Sequence, residues 1–161
     1  VARKPDLRLV VAGPDAGVGA EFEAQTKRLG IESRVHRVGA IYGPHKIAAL
    51  VDALAFCLPS EHEAFSVAIT EALACGCPVV ISPECHFPEV TEVGAGLIVP
   101  RNPEKIADAI ERVLADSAAA ARMGEAGRTL VRERFTWPEI AARSLELVQI
   151  HMARRSAVAG S

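Results

Sequence analysis

The stretch PSEHEAFSVAITEALACGCPVV, residues 59–80, places Glu61, Glu63 and Glu71 within eleven residues, and the last two bracket a nearly all-apolar run, AFSVAIT. The run reads as the start of a buried helix, FSVAITEALACG, stopped by Gly76. Glu71 then lies about two turns in, among mostly apolar neighbours, where an unpartnered carboxylate costs on the order of several kcal/mol. A polar partner is therefore expected for it.

Outward from this stretch, short apolar runs alternate with amphipathic ones. LRLVVAG (residues 7–13), RVHRVG (34–39), LAFCLPS (54–60), PVVIS (78–82) and AGLIVP (95–100) are strand-like. The first is rich in valine and leucine and predicts a strand buried on both faces of a parallel sheet. Between them, EFEAQTKRLG puts Phe22, Thr26 and Leu29 on one helical face before Gly30, and HKIAALVDA is helical. Three helices close the chain: PEKIADAIERVLAD, with proline at its first position, AARMGEAGRTLVRERF, and WPEIAARSLELVQIHMARR. The last spaces Ile140, Ser144, Leu145, Val148 and Met152 as one stripe. The pattern predicts an α/β fold with a doubly wound, Rossmann-like parallel sheet. We expect residues 1–136 to form the main domain, 137–155 a C-terminal helix packing on it, and 156–161 a frayed tail.

Composition narrows the function classes. The 161 residues suffice for one domain, and 50% are hydrophobic, enough to bury a core. Lysine plus arginine number 18 against 20 acids, and 4% of residues are aromatic, which argues against nucleic acid as a partner. The longest apolar run, AALVDALAFCLP, is too short to span a bilayer and is broken by Asp52. The N-terminal residues show no signal-peptide pattern, so the expected location is the cytoplasm, with peripheral attachment to the cytoplasmic face of a membrane as an option. Cys57, Cys75, Cys77 and Cys85 lack the spacing of a tetrahedral metal set and read as buried thiols of a reduced protein; no metal is expected.

In a doubly wound sheet, ligands bind outside the carboxyl ends of the strands, where helix N-termini offer free N–H groups. The segment PSEHEAFS occupies such a place, and the amides of Ser66 and Val67 would face an anion there. Glu63 would repel a diphosphate unless it turns to accept hydrogen bonds from neutral hydroxyls, as a sugar provides. Ribose hydroxyls would satisfy Glu71. A sugar, a diphosphate and a ribose in linear order make a nucleotide-sugar.

These residues resemble the signature of the C-terminal, donor-binding domain of GT-B-fold retaining glycosyltransferases, in particular glycosyltransferase family four (glycosyl transferases group 1). The pattern is two glutamates with seven residues between them, a small-residue helix end and G-x-PVV-x-S. LVVAGP, GAGLIVP and RERFTWPEIAARSLEL match in order as well. The resemblance implies a retaining hexosyl transfer from a nucleoside-diphosphate sugar to an acceptor hydroxyl, with no cofactor beyond the donor substrate. It implies Glu63 as the catalytic residue at the transferred sugar, the amides of Phe65, Ser66 and Val67 at the diphosphate, and Glu71 at the ribose. Gly13 and Tyr42, in the loops after the first two strands, would complete the nucleotide site. No second carboxylate is evidently placed as a nucleophile.

The chain departs from the family pattern in three places. Glu63-Ala64-Phe65-Ser66 stands where Glu-Gly-Phe-Gly is usual, and Ser66 is expected to cap the helix with its hydroxyl. PECHFPEV replaces a sequence with a glycine pair. The arginine and lysine that neutralise the diphosphate in the family have no counterpart here, since Arg3 and Lys4 do not match their position. The resemblance thus implies a donor-binding half lacking its first strand, inactive by itself. Its partners would be a missing N-terminal domain and an unidentified acceptor. In the order 3-2-1-4-5-6 the absent strand lies centrally, so the remaining strands either close up or are bridged by another chain, giving a homo-oligomer through the truncated sheet. Glu61 reads as a solvated charge, His62 and His86 as structural loop residues, and Pro88-Glu89 as a helix start. The alternatives are another GT-B enzyme, such as a nucleotide-sugar epimerase, and a non-catalytic nucleotide-binding fragment.

Overall fold

The computed structural model describes Lys4 and residues 6–159, with side chains through 152. In chain order the strands are β1 (Leu9–Ala12), β2 (Val35–Gly39), β3 (Phe56–Leu58), β4 (Val79–Ile81) and β5 (Gly96–Ile98). The helices are α1 (Gly19–Arg28), α2 (Gly43–Asp52), α3 (Val67–Ala74), α4 (Glu89–Glu92), α5 (Pro103–Ala115), α6 (Ser117–Arg134) and α7 (Trp137–Ala159). Every strand pair is parallel, and the alternation of strand and helix is that of a Rossmann-like α/β fold. The span 1–136 expected as one domain contains the division between two compact units, Val1–Ile47 and Ala48–Ser161.

In the first unit β1 pairs with β2, Leu9 opposite Val35. The glycine-rich loop GPDAGVG between β1 and α1 is organised by one carboxylate. Asp15 Oδ1 accepts from the amides of Gly17 at 2.9 Å and Gly19 at 3.2 Å, while Arg37 donates to Oδ2 at 3.0 Å. The Gly17 amide first, and then Arg37, hold the Asp15 carboxyl below its ordinary value. Arg37 also bonds Glu23 at 2.8 Å. The expectation that β1 is buried on both faces is corrected, because Leu9 and Val10 are exposed, Val10 at 55%. A two-stranded sheet with α1 as its long helix covers too little of either face. Likewise Leu29 is exposed, although Thr26 is buried as its place on the helical face requires.

The second unit carries the main core. Strand order is β3-β4-β5, so β4 is central, and all three of its residues are buried. Alternation along the strand sends Val79 and Ile81 into a cluster with Ile69, Leu73, Phe87, Val90 and Leu130, from α3, α4, α6 and the loop before α4. Val80 joins Ala109 and Val113 of α5 in a second cluster. Both faces are covered, as a continuous Val/Ile run predicts for a parallel strand. Glycines let α6 approach α3 closely: a Cβ on Gly124 would strike the Gly76 carbonyl, and one on Gly127 would lie 3.0 Å from Leu73. Arg128 donates to the Cys75 carbonyl at 3.2 Å, satisfying an orphan acceptor at the end of α3.

The two sheets stay separate, so the strands have not closed up into one. The neighbours within each are those of the doubly wound order 3-2-1-4-5-6 with its first strand left out. The C-terminal helix reaches Ala159, beyond the predicted end at 155; Gly160 and Ser161 lie outside the described residues, as does Arg3. Its expected packing is corrected: Ile140, Leu145, Val148 and Met152 keep the predicted stripe spacing but are exposed, as is Trp137 at 84%. Among the described residues, no helix is long and apolar enough to cross a membrane.

Candidate active site

The helix at the centre of the opening stretch begins at Val67, two residues later than predicted, with Ser66 at the N-cap in extended backbone. The expected hydroxyl cap is absent: Ser66 is buried but makes no side-chain cap bond. Its carbonyl accepts from the amide and hydroxyl of Thr70, both at 3.3 Å. The first-turn amides of Val67, Ala68 and Ile69 have no i−4 helical carbonyl to bond, and the positive end of the helix dipole lies with them. The helix is half buried rather than buried. Ile69, Ala72 and Leu73 enter the core, Val67 and Ala74 are exposed, and Glu71 lies between these extremes on the Val67 and Ala74 side.

Glu63 lies in the loop between β3 and α3, beyond the carboxyl end of β3. Ser60 donates to its Oε1 at 3.0 Å, and its own amide donates to the Glu84 carbonyl at 3.2 Å. The turn after β4 is tied to the same loop at further points. Ser82 Oγ donates to the Ser60 carbonyl at 2.6 Å, and Cys85 Sγ to the Leu58 carbonyl at 3.4 Å. Phe65 and Phe87 pack ring to ring at 5.8 Å, and both contact Phe135 at the end of α6, at 5.9 and 5.1 Å. Carboxyl-end loops of β3 and β4 thus form one interlocked surface beside the start of α3.

Three features escaped the sequence reading. Glu61, expected to be a solvated charge, forms an ion pair with Arg101 of the loop after β5, and that guanidinium's hydrogen bond holds the Glu61 carboxyl below its ordinary value. His86 has left-handed backbone, φ 50° and ψ 45°. The aromatic trio joins residues far apart in sequence. None of these has a local pattern that could announce it; only the departure from a glycine pair marked position 86. Pro88 is the N-cap of α4 rather than its first residue.

Gly13 and Tyr42 belong to the first unit, at the carboxyl ends of its strands. Gly13 donates its amide to the Gly39 carbonyl at 2.9 Å, and Tyr42 is 75% exposed just before α2. The four cysteines are free, and burial raises the thiols of Cys57, Cys75 and Cys77, the last to about 11. Among the described residues no three His, Cys, Asp or Glu side chains gather as a metal set.

Parallel strands alternating with helices in a Rossmann-like arrangement also occur in GT-B glycosyltransferases, and solved structures of that class align with the chain. Sucrose-phosphate synthase from Thermosynechococcus elongatus aligns with a TM-score of 0.76 at 32% identity, over 95% of this chain and 40% of that one. Anabaena HepE in complex with UDP aligns with a TM-score of 0.82 at 22% identity, a likeness of fold, over 92% and 42%. The chain belongs to the glycosyl transferases group 1 family, whose model matches residues 1–130. It is 30% identical over 160 residues to MMP alpha-(1->4)-mannosyltransferase of Mycolicibacterium hassiacum, covering 98% of this chain and 38% of the relative. With D-inositol 3-phosphate glycosyltransferase of Xylanimonas cellulosilytica it shares 32% over 161 residues, covering 94% and 37%. The chain spans about two fifths of the length of these relatives.

Proposed function

We propose that this chain binds a nucleoside-diphosphate sugar and serves as the donor half of a retaining hexosyltransferase. The observation that carries the reading is the arrangement at α3: the helix starts beyond the carboxyl end of β3, directly after an interlocked loop that holds Glu63. The likeness to HepE, solved with UDP and with UDP-glucose, supports the ligand class.

In this reading the diphosphate meets the amides of Val67 and its neighbours, Glu71 accepts from the ribose hydroxyls, and Glu63 accepts from hydroxyls of the sugar. The Ser60 hydroxyl on Oε1 fixes the Glu63 carboxylate so that its acceptors are aimed before the donor arrives. Transfer breaks the bond between the anomeric carbon and the diphosphate oxygen and forms one to the acceptor oxygen, whose proton is lost. Charge grows on the leaving diphosphate, and preorganised amides with a helix dipole behind them stabilise it without reorganising. The acceptor site and the remaining cations come from the part of the relatives' length that this chain does not span.

Product analysis tests the proposal. The complete protein, given UDP-, GDP- and ADP-sugars with candidate acceptors, should release nucleoside diphosphate and form a glycoside of unchanged anomeric configuration. Inverted product would remove the retaining mechanism, and epimerised sugar without transfer would move the chain to another reaction.

A further inference from the structure

Among the described residues, His86 is the one non-glycine with positive φ, and it lies in the turn after β4 that is hydrogen-bonded to the Ser60–Glu63 loop. Left-handed backbone is unfavourable for a residue with a Cβ, and such strain persists where the surroundings over-determine it. Here they do. Cys85 before it and Phe87 after it are almost wholly buried, Cys85 bonded to the Leu58 carbonyl and Phe87 stacked in the aromatic trio. The His86 amide donates to the Pro83 carbonyl at 3.0 Å, closing the turn. Two residues earlier, the Glu84 carbonyl receives the Glu63 amide. The side chain itself is exposed. A glycine would adopt this backbone without strain, so the fold does not require an imidazole here.

We propose that His86 is a specificity-determining residue: its ring meets the donor sugar beside Glu63 and discriminates between sugars that differ in the configuration of one hydroxyl. This rests on the donor reading above. A neutral imidazole offers one donor and one acceptor, suited to a hydroxyl whose other side is taken by a carboxylate. A site built to bond a hydroxyl rejects an epimer that leaves the ring nitrogen unpaired.

Calorimetry on the chain separates the two readings. The parent and His86→Gly are titrated with UDP, UDP-glucose and UDP-galactose, and with GDP, GDP-mannose and GDP-glucose, alongside thermal melting. We expect His86→Gly to melt no lower than the parent and to bind the nucleoside diphosphate within twofold of it. It should lose about fivefold of the added affinity that the preferred sugar confers, and with it the preference over the epimer. His86→Asn, which tolerates the same backbone and keeps a hydrogen-bonding side chain, should retain part of that preference. An unchanged epimer ratio in His86→Gly overturns the proposal. A lower melting temperature with equal losses for diphosphate and sugar nucleotide also overturns it, by assigning the ring a structural role. If the parent binds none of the nucleotides, the donor reading itself fails and this inference with it.

Discussion

Glu71 and Cys77 sit on the same chain segment but test different things. If Glu71 accepts from a ribose, Glu71→Gln keeps the helix, since both residues are good helix formers, and removes a charge-assisted bond typically worth about 1.5–3 kcal/mol. Nucleoside diphosphate affinity should fall by roughly ten- to a hundredfold. Cys77 reports burial. Its thiol is pushed up to about 11 from an ordinary 9.0, chiefly by desolvation. The unfolded chain therefore loses this proton at lower pH than the folded one, so the contribution is intact below about pH 9 and drains away as pH rises towards 11. Denaturation curves at several alkaline pH values should show the parent losing stability more steeply than Cys77→Ala, by at most about 1.4 kcal/mol per pH unit. Parallel slopes would remove Cys77 from the account. Glu63 and Glu71 were marked as candidates because their spacing is local and set in a distinctive surround. Glu61 was not, because its partner Arg101 lies forty positions away on another loop.

Elements were more legible than their environments. All five strands and the long helices fall where periodicity places them, and α5 and α6 carry strong local stop and start signals. Asn102 Oδ1 accepts from the amides of Glu104 and Lys105, and Asp116 Oδ1 from those of Ala118 and Ala119. Asp116→Ala should lower the denaturation midpoint, whereas Asp116→Asn, which keeps the acceptor, should change it little. What periodicity does not encode is which face finds a partner. The stripe on α7 and Leu9 and Val10 of β1 have the right pattern and remain exposed, because burial depends on what else the chain supplies. The glycines of α6 were equally silent. Gly124→Ala would drive a methyl into the Gly76 carbonyl and force α3 from α6, costing about 1–3 kcal/mol. With the proposed site on α3, nucleotide affinity should fall with stability in that variant; a melt indistinguishable from the parent's would contradict the close packing.

At the scale of the molecule, alternating strands and helices announced a doubly wound fold, and the parallel pairing is that of the fold. The separation into a β1-β2 sheet and a β3-β4-β5 sheet followed only from a strand order, not from any residue. Exposed apolar side chains on β1 and α7 fit the donor-half proposal, since a partner with an acceptor domain would cover such surface. On that proposal the 161-residue chain should transfer no sugar alone and show turnover only when joined to an acceptor domain. Turnover by the isolated chain with any donor would contradict the half-enzyme reading. Light scattering addresses the remaining option, in which a second copy supplies the missing pairing and the chain runs as an oligomer.

Titration calorimetry shows whether α3 and its loop form a nucleoside-diphosphate site. The chain and its Glu71→Gln variant are each titrated with UDP, GDP and ADP. One of the three should bind the parent with clear preference over the others, and the variant should bind it at least tenfold more weakly. No binding of any of the three at millimolar concentration, or equal affinity in parent and variant, would contradict the donor-site proposal.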